Sequence, residues 1–284
     1  MTTTTAPATS YVLGDSDNER HRLQQQSDLI GGFTRHVLEQ AGIAAGMTVL
    51  DVGCGAGDVA LLLADMVGPD GRVVGVDRNA AILATAERRT AAAGHANVRF
   101  VAGDVTDPEV DLGHDFDAAV GRLVLMYNPD TVAALRAIVD RVVPGGIVAF
   151  QEADFTWFAH SIPPIPLMAS MRDWISGAFA AGGSDPHIGF RLPQVFAAAG
   201  LPRPRLQFDT LMGGGTDFGG YQYAALTVRS LLPAIEAAGI ATAAEIDVDT
   251  LADRLRDTAV AADATITTVS LVAAWSRVPT NAPR

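Results

Sequence analysis

From Met47 onward the chain alternates short, nearly continuous apolar runs with longer stretches in which apolar residues recur every three or four positions. The short runs, about 47–52, 72–77, 97–101, 116–120 and 145–150, suit buried strands. The longer stretches, about 57–67, 79–93 and 129–143, carry helical spacing, as in Val59, Ala60, Leu62, Leu63, Met66 and Val67. Strands of this kind, separated by helical patterns of roughly 10–15 residues, predict a parallel sheet with helices on both faces. Right-handed crossovers then bring the carboxyl ends of the strands to one rim, where ligands bind. Asp51, Asp77, Asp104, Arg122 and Glu152 all fall at or just beyond those ends.

The flanks follow a different rhythm. Residues 1–10 are Thr-rich and are expected to form a disordered tail, and 11–45 a helical leader capped by Ser16 or Asp17 and running to Gln40. After Glu152 comes a proline-stiffened passage around Ile162 to Pro166, then helices at about 167–181 and 190–199 and a strand at 205–211. Gly213-Gly214-Gly215 opens a further stretch with helices near 221–238 and 248–262, and a strand at 265–278 closes the chain. Residues 46–284 thus read as one elaborated domain carrying insertions at about 155–187 and 213–263.

Composition narrows the class of partner. The chain has 284 residues, 49% of them apolar, enough for a sizeable core. Its net charge of −12 and scattered basic residues weigh against nucleic acid and against anionic membrane, both of which call for Lys/Arg patches. A single cysteine, Cys54, fits a reducing compartment and excludes an internal disulfide. No apolar run approaches the ~18–20 residues that cross a bilayer, and the N-terminus lacks the pattern of a secretory signal, so a soluble cytoplasmic protein is expected. The six histidines show no paired spacing and one cysteine builds no thiolate cluster, so no metal site is read.

The densest chemical signal is Asp51-Val52-Gly53-Cys54-Gly55-Ala56-Gly57, a strand passing through glycines into a helix. Such a turn lets a bare main chain approach a ligand closely. The dinucleotide fingerprint is the nearest general motif, but here the spacing is G-x-G-x-G and an acid precedes the glycines. A second acid, Asp77, ends Val73-Val74-Gly75-Val76-Asp77, 20 residues after Gly57, where a carboxylate can accept the hydroxyls of a ribose. A third, Asp104, follows the strand ending near Val101.

Together, D-x-G-x-G-x-G, V-V-G-V-D and V-A-G-D-V resemble the class I S-adenosylmethionine-dependent methyltransferases, most closely their small-molecule, quinone-biosynthesis-like branch. The resemblance covers residues 46–152 firmly and the rest loosely. It implies a Rossmann-like sheet of seven strands in the order 3-2-1-4-5-7-6, with the last strand antiparallel between the fifth and sixth and the insertions packed together as a helical lid. It implies S-adenosylmethionine as cofactor. Gly53, Cys54, Gly55 and Gly57 would pass under its amino acid and sulfonium, and Asp51 would stand near its ammonium. Asp77, with Arg78 beside it, would hold the ribose, and Asp104 and the Val105 N–H would meet the adenine. Arg122 would pair with the methionyl carboxylate, and Tyr11 and Gln26 of the leader would touch the methionine end or the substrate.

Methyl donation needs in-line placement, and a base only when the nucleophile must lose a proton. Glu152 and His160 are the leading candidates for that role, with Asp154, His187, Tyr127 and Tyr221 also near the expected rim. Trp157, Phe158, Met168, Trp174 and Phe179 either line an apolar substrate pocket or form the lid's own core. Methyl transfer to a C, N or O atom of a small molecule leads. A nicotinamide-dependent oxidoreductase and a non-methylating S-adenosylmethionine-binding protein are the alternatives. Apolar surface on a lid is compatible with a homodimer.

Overall fold

The computed structural model describes residues 17–280, with side chains from Leu29 onward. The expected tail and the contacts expected of Tyr11 and of the Gln26 side chain lie outside the described residues. Contacts divide the described chain into two compact units. One holds Ser27–Asp154, His187–Asp209 and the chain from Leu271 on. The other holds Phe155–Pro186 and Thr210–Ser270, with the described part of the chain before Ser27.

The first of these units is a sheet clad in helices. Its elements are the latter part of α1 (Asp17–Ala41), then β1 (Thr48–Val52), α2 (Asp58–Val67), β2 (Arg72–Asp77), α3 (Ala80–Ala92), β3 (Val98–Ala102), β4 (Phe116–Arg122), α4 (Thr131–Val139) and β5 (Val142–Ala153). Strands β1 to β5 are parallel, in the order β3-β2-β1-β4-β5. One face of the sheet meets α1 and α2 in a core of Val37, Leu38, Leu63, Val67, Val49, Val73, Val120 and Trp275. Alternate sheet residues such as Leu50, Ala119, Val148 and Phe150 are buried as well, so the strands are covered on both sides and read as continuous apolar runs. The order of strands reverses between β1 and β4, which is where a doubly wound sheet opens a crevice for ligand.

Two boundaries move from the expected positions. The helix expected over 129–143 is shorter, because Asp130 caps it by accepting from Ala133 N and the apolar pair Val142-Val143 belongs to β5. In turn β5 runs on to Ala153 rather than stopping at Phe150, because it is paired along its length. Gln151 and Glu152 face Ala273 and Val272 of an antiparallel neighbour. That neighbour is the end of β8 (Thr265–Arg277), the closing strand. The remaining pieces are α6 (Ile188–Ala198), which lies against β5 and α4, and β7 (Arg205–Gly213), which pairs with β8.

The other unit contains a two-residue strand β6 (Ser161–Ile162) and α5 (Pro166–Ala181), followed by α7 (Gly220–Ala237), α8 (Ala243–Ile246) and α9 (Leu251–Ala261). Helix α7 packs against α5 and α9, joining the two insertion segments into one body. Phe155 stacks on Phe179 and meets Phe158 edge-on, each pair with ring centroids 5.3 Å apart. Strand β6 pairs with the beginning of β8. With that short strand set aside, the sheet has the expected order 3-2-1-4-5-7-6, and β6 is the one addition among the described strands.

Candidate cofactor-binding site

The glycine turn sits at the carboxyl end of β1, beside the reversal of strand order. Gly53, Gly55 and Gly57 all have positive φ, of 64°, 50° and 85°. The demand at Gly53 is steric as well as conformational: a Cβ there would lie 2.5 Å from a methyl of Val124. Gly55 is different, with open space where its side chain would be. Cys54 N–H donates to the Val76 carbonyl, and Gly57 N–H to that of Cys54. The Cys54 side chain packs inward over Gly75, where an added Cβ would come within 2.9 Å of Sγ. Burial, followed by the charges of Asp51 and Asp77, pushes the Cys54 thiol up, so Cys54 packs and lends its backbone without being a nucleophile.

Asp77 ties the second strand to this turn. Its Oδ2 accepts from Gly55 N–H at 2.9 Å and its Oδ1 from Asn79 N–H at 2.9 Å. Next to it, Arg78 and Asp104 form an ion pair of 2.7 Å. Asp104 also accepts from the backbone and hydroxyl of Thr106. Burial alone would raise the Asp104 pKa, but the Thr106 donors and Arg78 outweigh it and hold the carboxyl below its usual range. Val105, next in line, is buried. Asp77 is thus fastened to the glycine turn itself, and Asp104 is paired with the arginine that follows Asp77.

Asp51, at the end of β1, is almost wholly buried, and its Oδ2 has no hydrogen-bond partner among the described residues. Burial raises its pKa to about 8. Arg122 opposes that shift, Asp77 and Asp58 add to it, and a bond from the Ala60 backbone opposes it again. A buried polar atom without a partner is uncommon and calls for a missing one. A cationic ligand over the glycine turn would meet that need.

Arg122 ends β4 and belongs to a buried polar chain. It donates to Thr34 Oγ1 at 3.2 Å, and Thr34 donates to Gln151 Oε1 at 2.8 Å. Its other terminal nitrogen faces Asp58 Oδ2 at 3.8 Å. Asp58 and Arg89 are participants that sequence reasoning did not single out. Arg89, on α3, donates to the Ala56 carbonyl and to Asp58 Oδ1, both at 2.7 Å. Asp58 stands in the first turn of α2, so the helix start that would receive a pyrophosphate already holds a carboxylate. That arrangement disfavours a dinucleotide. The acid directly after Gly57 was visible in the sequence, whereas nothing local marked Arg89 as its partner.

The expected catalytic residues are placed as follows. Glu152 is fully buried and accepts three backbone N–H groups, from Val124 and Leu125 at Oε1 and from Met126 at Oε2. Burial raises its pKa to about 7, against the pull of those three donors. Asp154 is buried, accepts from Phe190 N–H at the start of α6, and lies 3.9 Å from His187. His160 belongs to the other unit. There it sits 3.2 Å from the Thr156 carbonyl, with its ring 5.5 Å from that of Trp157. Tyr221, also in that unit, is buried with no partner for its hydroxyl among the described residues.

Residues 43–176 match a family model described as a methyltransferase domain. The methyltransferase str3 of Strobilurus tenacellus is 28% identical over 184 residues, 65% of this chain and 63% of that protein. The demethylmenaquinone methyltransferase of Staphylococcus aureus is 31% identical over 139 residues, 49% of this chain and 54% of that protein. The chain thus covers less than two thirds of the length of these curated relatives. Among solved structures, the 4+2 cyclase SpnF superposes with a TM-score of 0.53 at 20% identity, covering 88% of this chain and 81% of that one. A SAM-dependent methyltransferase from Aquifex aeolicus gives 0.51 at 18% identity, with coverages of 69% and 93%. At those identities the structural likeness is one of fold. Residues 43–176 thus match a methyltransferase domain over a little under half of the chain, and in sequence the chain is similar to methyltransferases, one of them a demethylmenaquinone methyltransferase.

Proposed function

We propose that the chain transfers the methyl group of S-adenosylmethionine to a C, N or O atom of a small molecule. What supports this reading most directly is the pairing of a buried carboxylate, Asp51, one of whose oxygens has no partner among the described residues, with a glycine turn whose middle residue has open space above it. A sulfonium-bearing amino acid supplies a cation for the first and fits over the second. When bound, the cofactor supplies an activated methyl group open to in-line displacement.

The chain's own residues then have defined tasks. Gly53 to Gly57 carry the methionyl portion, Asp77 accepts from the ribose hydroxyls, and Asp104 and Val105 meet the adenine. Arg122 balances the acids around Asp51 and faces the methionyl carboxylate. The net charge of −12 favours a small-molecule acceptor over nucleic acid, and the single cysteine favours a cytoplasmic setting. Among the described residues no helix is long and apolar enough to cross a membrane.

Incubation with methyl-labelled S-adenosylmethionine and a panel of quinol, phenol and amine acceptors tests the proposal. Label in an acceptor together with S-adenosylhomocysteine is the expected result. Binding of NADH without binding of S-adenosylmethionine would reject it. An acceptor changed while the cofactor stays intact would favour a non-methylating use of the same site.

A further inference from the structure

Glu152 stands one residue before the end of β5, where a proton-transfer residue was expected, yet its carboxylate is committed to the main chain. Val124 and Leu125 N–H donate to Oε1 at 3.1 and 2.8 Å, and Met126 N–H donates to Oε2 at 3.3 Å. These three amides belong to the turn after β4, which begins with Leu123 at φ 58° and passes into a single 3-10 turn at Leu125–Tyr127. Leu123 N–H is itself fixed to the Gln151 carbonyl at 2.8 Å. Four successive N–H groups of one turn are therefore held by two adjacent residues of β5.

The same turn touches the cofactor loop. Val124 rests on Gly53 so closely that a Cβ on the glycine would come within 2.5 Å of Val124 Cγ2. Leu125 and Met126 are buried beside it, which leaves the turn no second support from solvent. Convergent backbone N–H groups bind anions, and here the anion is a side chain of the protein itself.

We infer that Glu152 is a positioning residue, which fixes the Val124–Met126 turn and through Val124 sets the floor of the glycine turn that receives the cofactor. The role rests on the cofactor reading given above and assigns Glu152 no proton transfer to substrate. An aliphatic side chain at 152 would strand two buried donors and one half-buried donor. A glutamine would keep one acceptor but turn an N–H toward one of the three amides.

Two measurements on the full chain test this, using Glu152→Gln, Glu152→Asp and Val124→Ala. The first is hydrogen exchange of the unliganded protein, and the second is calorimetric affinity for S-adenosylmethionine. In Glu152→Gln, exchange over Val124–Met126 should quicken by about tenfold or more while the sheet stays protected, and Kd should rise by a similar factor. Glu152→Asp retains a carboxylate and should recover part of both. Val124→Ala leaves the Glu152 bonds in place, so exchange should stay slow while Kd rises, which places Val124 between Glu152 and the cofactor. Unchanged exchange in Glu152→Gln overturns the proposal. Should Glu152→Gln fail to fold, an unchanged Kd in Val124→Ala overturns it equally. If unaltered protein does not bind S-adenosylmethionine, the cofactor reading fails, while exchange in the unliganded chain still decides whether Glu152 holds the turn.

Discussion

The amide of Gly55 donates to Asp77 Oδ2 at 2.9 Å, so the middle of the glycine turn is fastened to the acid that ends the neighbouring strand. One bond thus sets the distance between the part of the site that would carry the sulfonium and the part that would carry the ribose. Replacement of Asp77 by Ala removes this fastening and the ribose acceptor together. The expected loss of S-adenosylmethionine affinity is about 1–3 kcal/mol, read by calorimetry. Asp77→Asn keeps one acceptor oxygen and should fall between. An affinity for Asp77→Ala equal to that of the unaltered protein would contradict the ribose role.

Asp51 should make cofactor binding a proton-linked event. Burial pushes its pKa up to about 8, so at neutral pH it is largely protonated. A cation placed beside it favours the carboxylate and lowers that pKa. Binding at pH 7–7.5 should then release a fraction of a proton, and the release should fade well above pH 8, where the group is already ionised. The check is the apparent binding enthalpy in buffers of different ionisation enthalpy. Asp51→Asn should abolish the buffer dependence, and proton uptake by the unaltered protein would refute the linkage.

The two buried acids also shape stability. Glu152 and Asp51 have folded-state pKa values of about 7 and about 8, raised above ordinary carboxyl values of 4.5 and 3.8. A raised carboxyl binds its proton more readily in the folded state. Each therefore favours folding at low pH and loses that contribution as pH climbs, from 4.5 to about 7 for Glu152 and from 3.8 to about 8 for Asp51. The slope from each is at most about 1.4 kcal/mol per pH unit inside its window. Asp104 runs the other way, since its pKa is lowered, but its contribution is lost only at more acidic pH. Urea denaturation at pH 5, 6, 7 and 8 should show the decline in unaltered protein and a shallower one in Asp51→Asn. Equal slopes in the two proteins would remove Asp51 from the account.

Arg89 should matter to cofactor binding without touching the cofactor. It holds the Ala56 carbonyl with one nitrogen and Asp58 with another. Arg89→Ala frees the back of the glycine turn and leaves Asp58 with Arg122 alone, at 3.8 Å. A stability loss of about 1–2 kcal/mol and a roughly tenfold weaker affinity are expected. Lys cannot serve both acceptors with the planar fork of a guanidinium, so Arg89→Lys should recover little. Recovery to full affinity in Arg89→Lys would show that charge alone suffices.

How much of this was legible beforehand depends on where the information lay. Asp51, Asp77 and Asp104 could be placed because each ends an apolar run, and strand ends in a parallel sheet share a rim. Gly53, Gly55 and Gly57 stood out because their spacing needs a backbone that other residues resist. Arg89 could not be read, since its partners lie 31 and 33 positions away and only the packing of α3 beside the turn unites them. Glu152 was found for its position and assigned a different task. Its partners are main-chain amides, which every residue but proline possesses, so no side-chain pattern announced them. Strand β6 escaped for a similar reason: two residues are too few for any periodicity. The split of Val142-Val143 from the preceding helix hinged on pairing with β4, which apolar character alone does not specify.

Strand β8 also shields the sheet. Residues 271–277 pair with β5 on one side while β7 joins the same strand. The stretch of β5 from Ile147 to Ala153, Glu152 included, has its outer border covered by those residues alone among the described strands. Removal of Leu271 to Arg277 would therefore bare a row of unpaired main-chain groups, an adhesive border open to strands of other molecules.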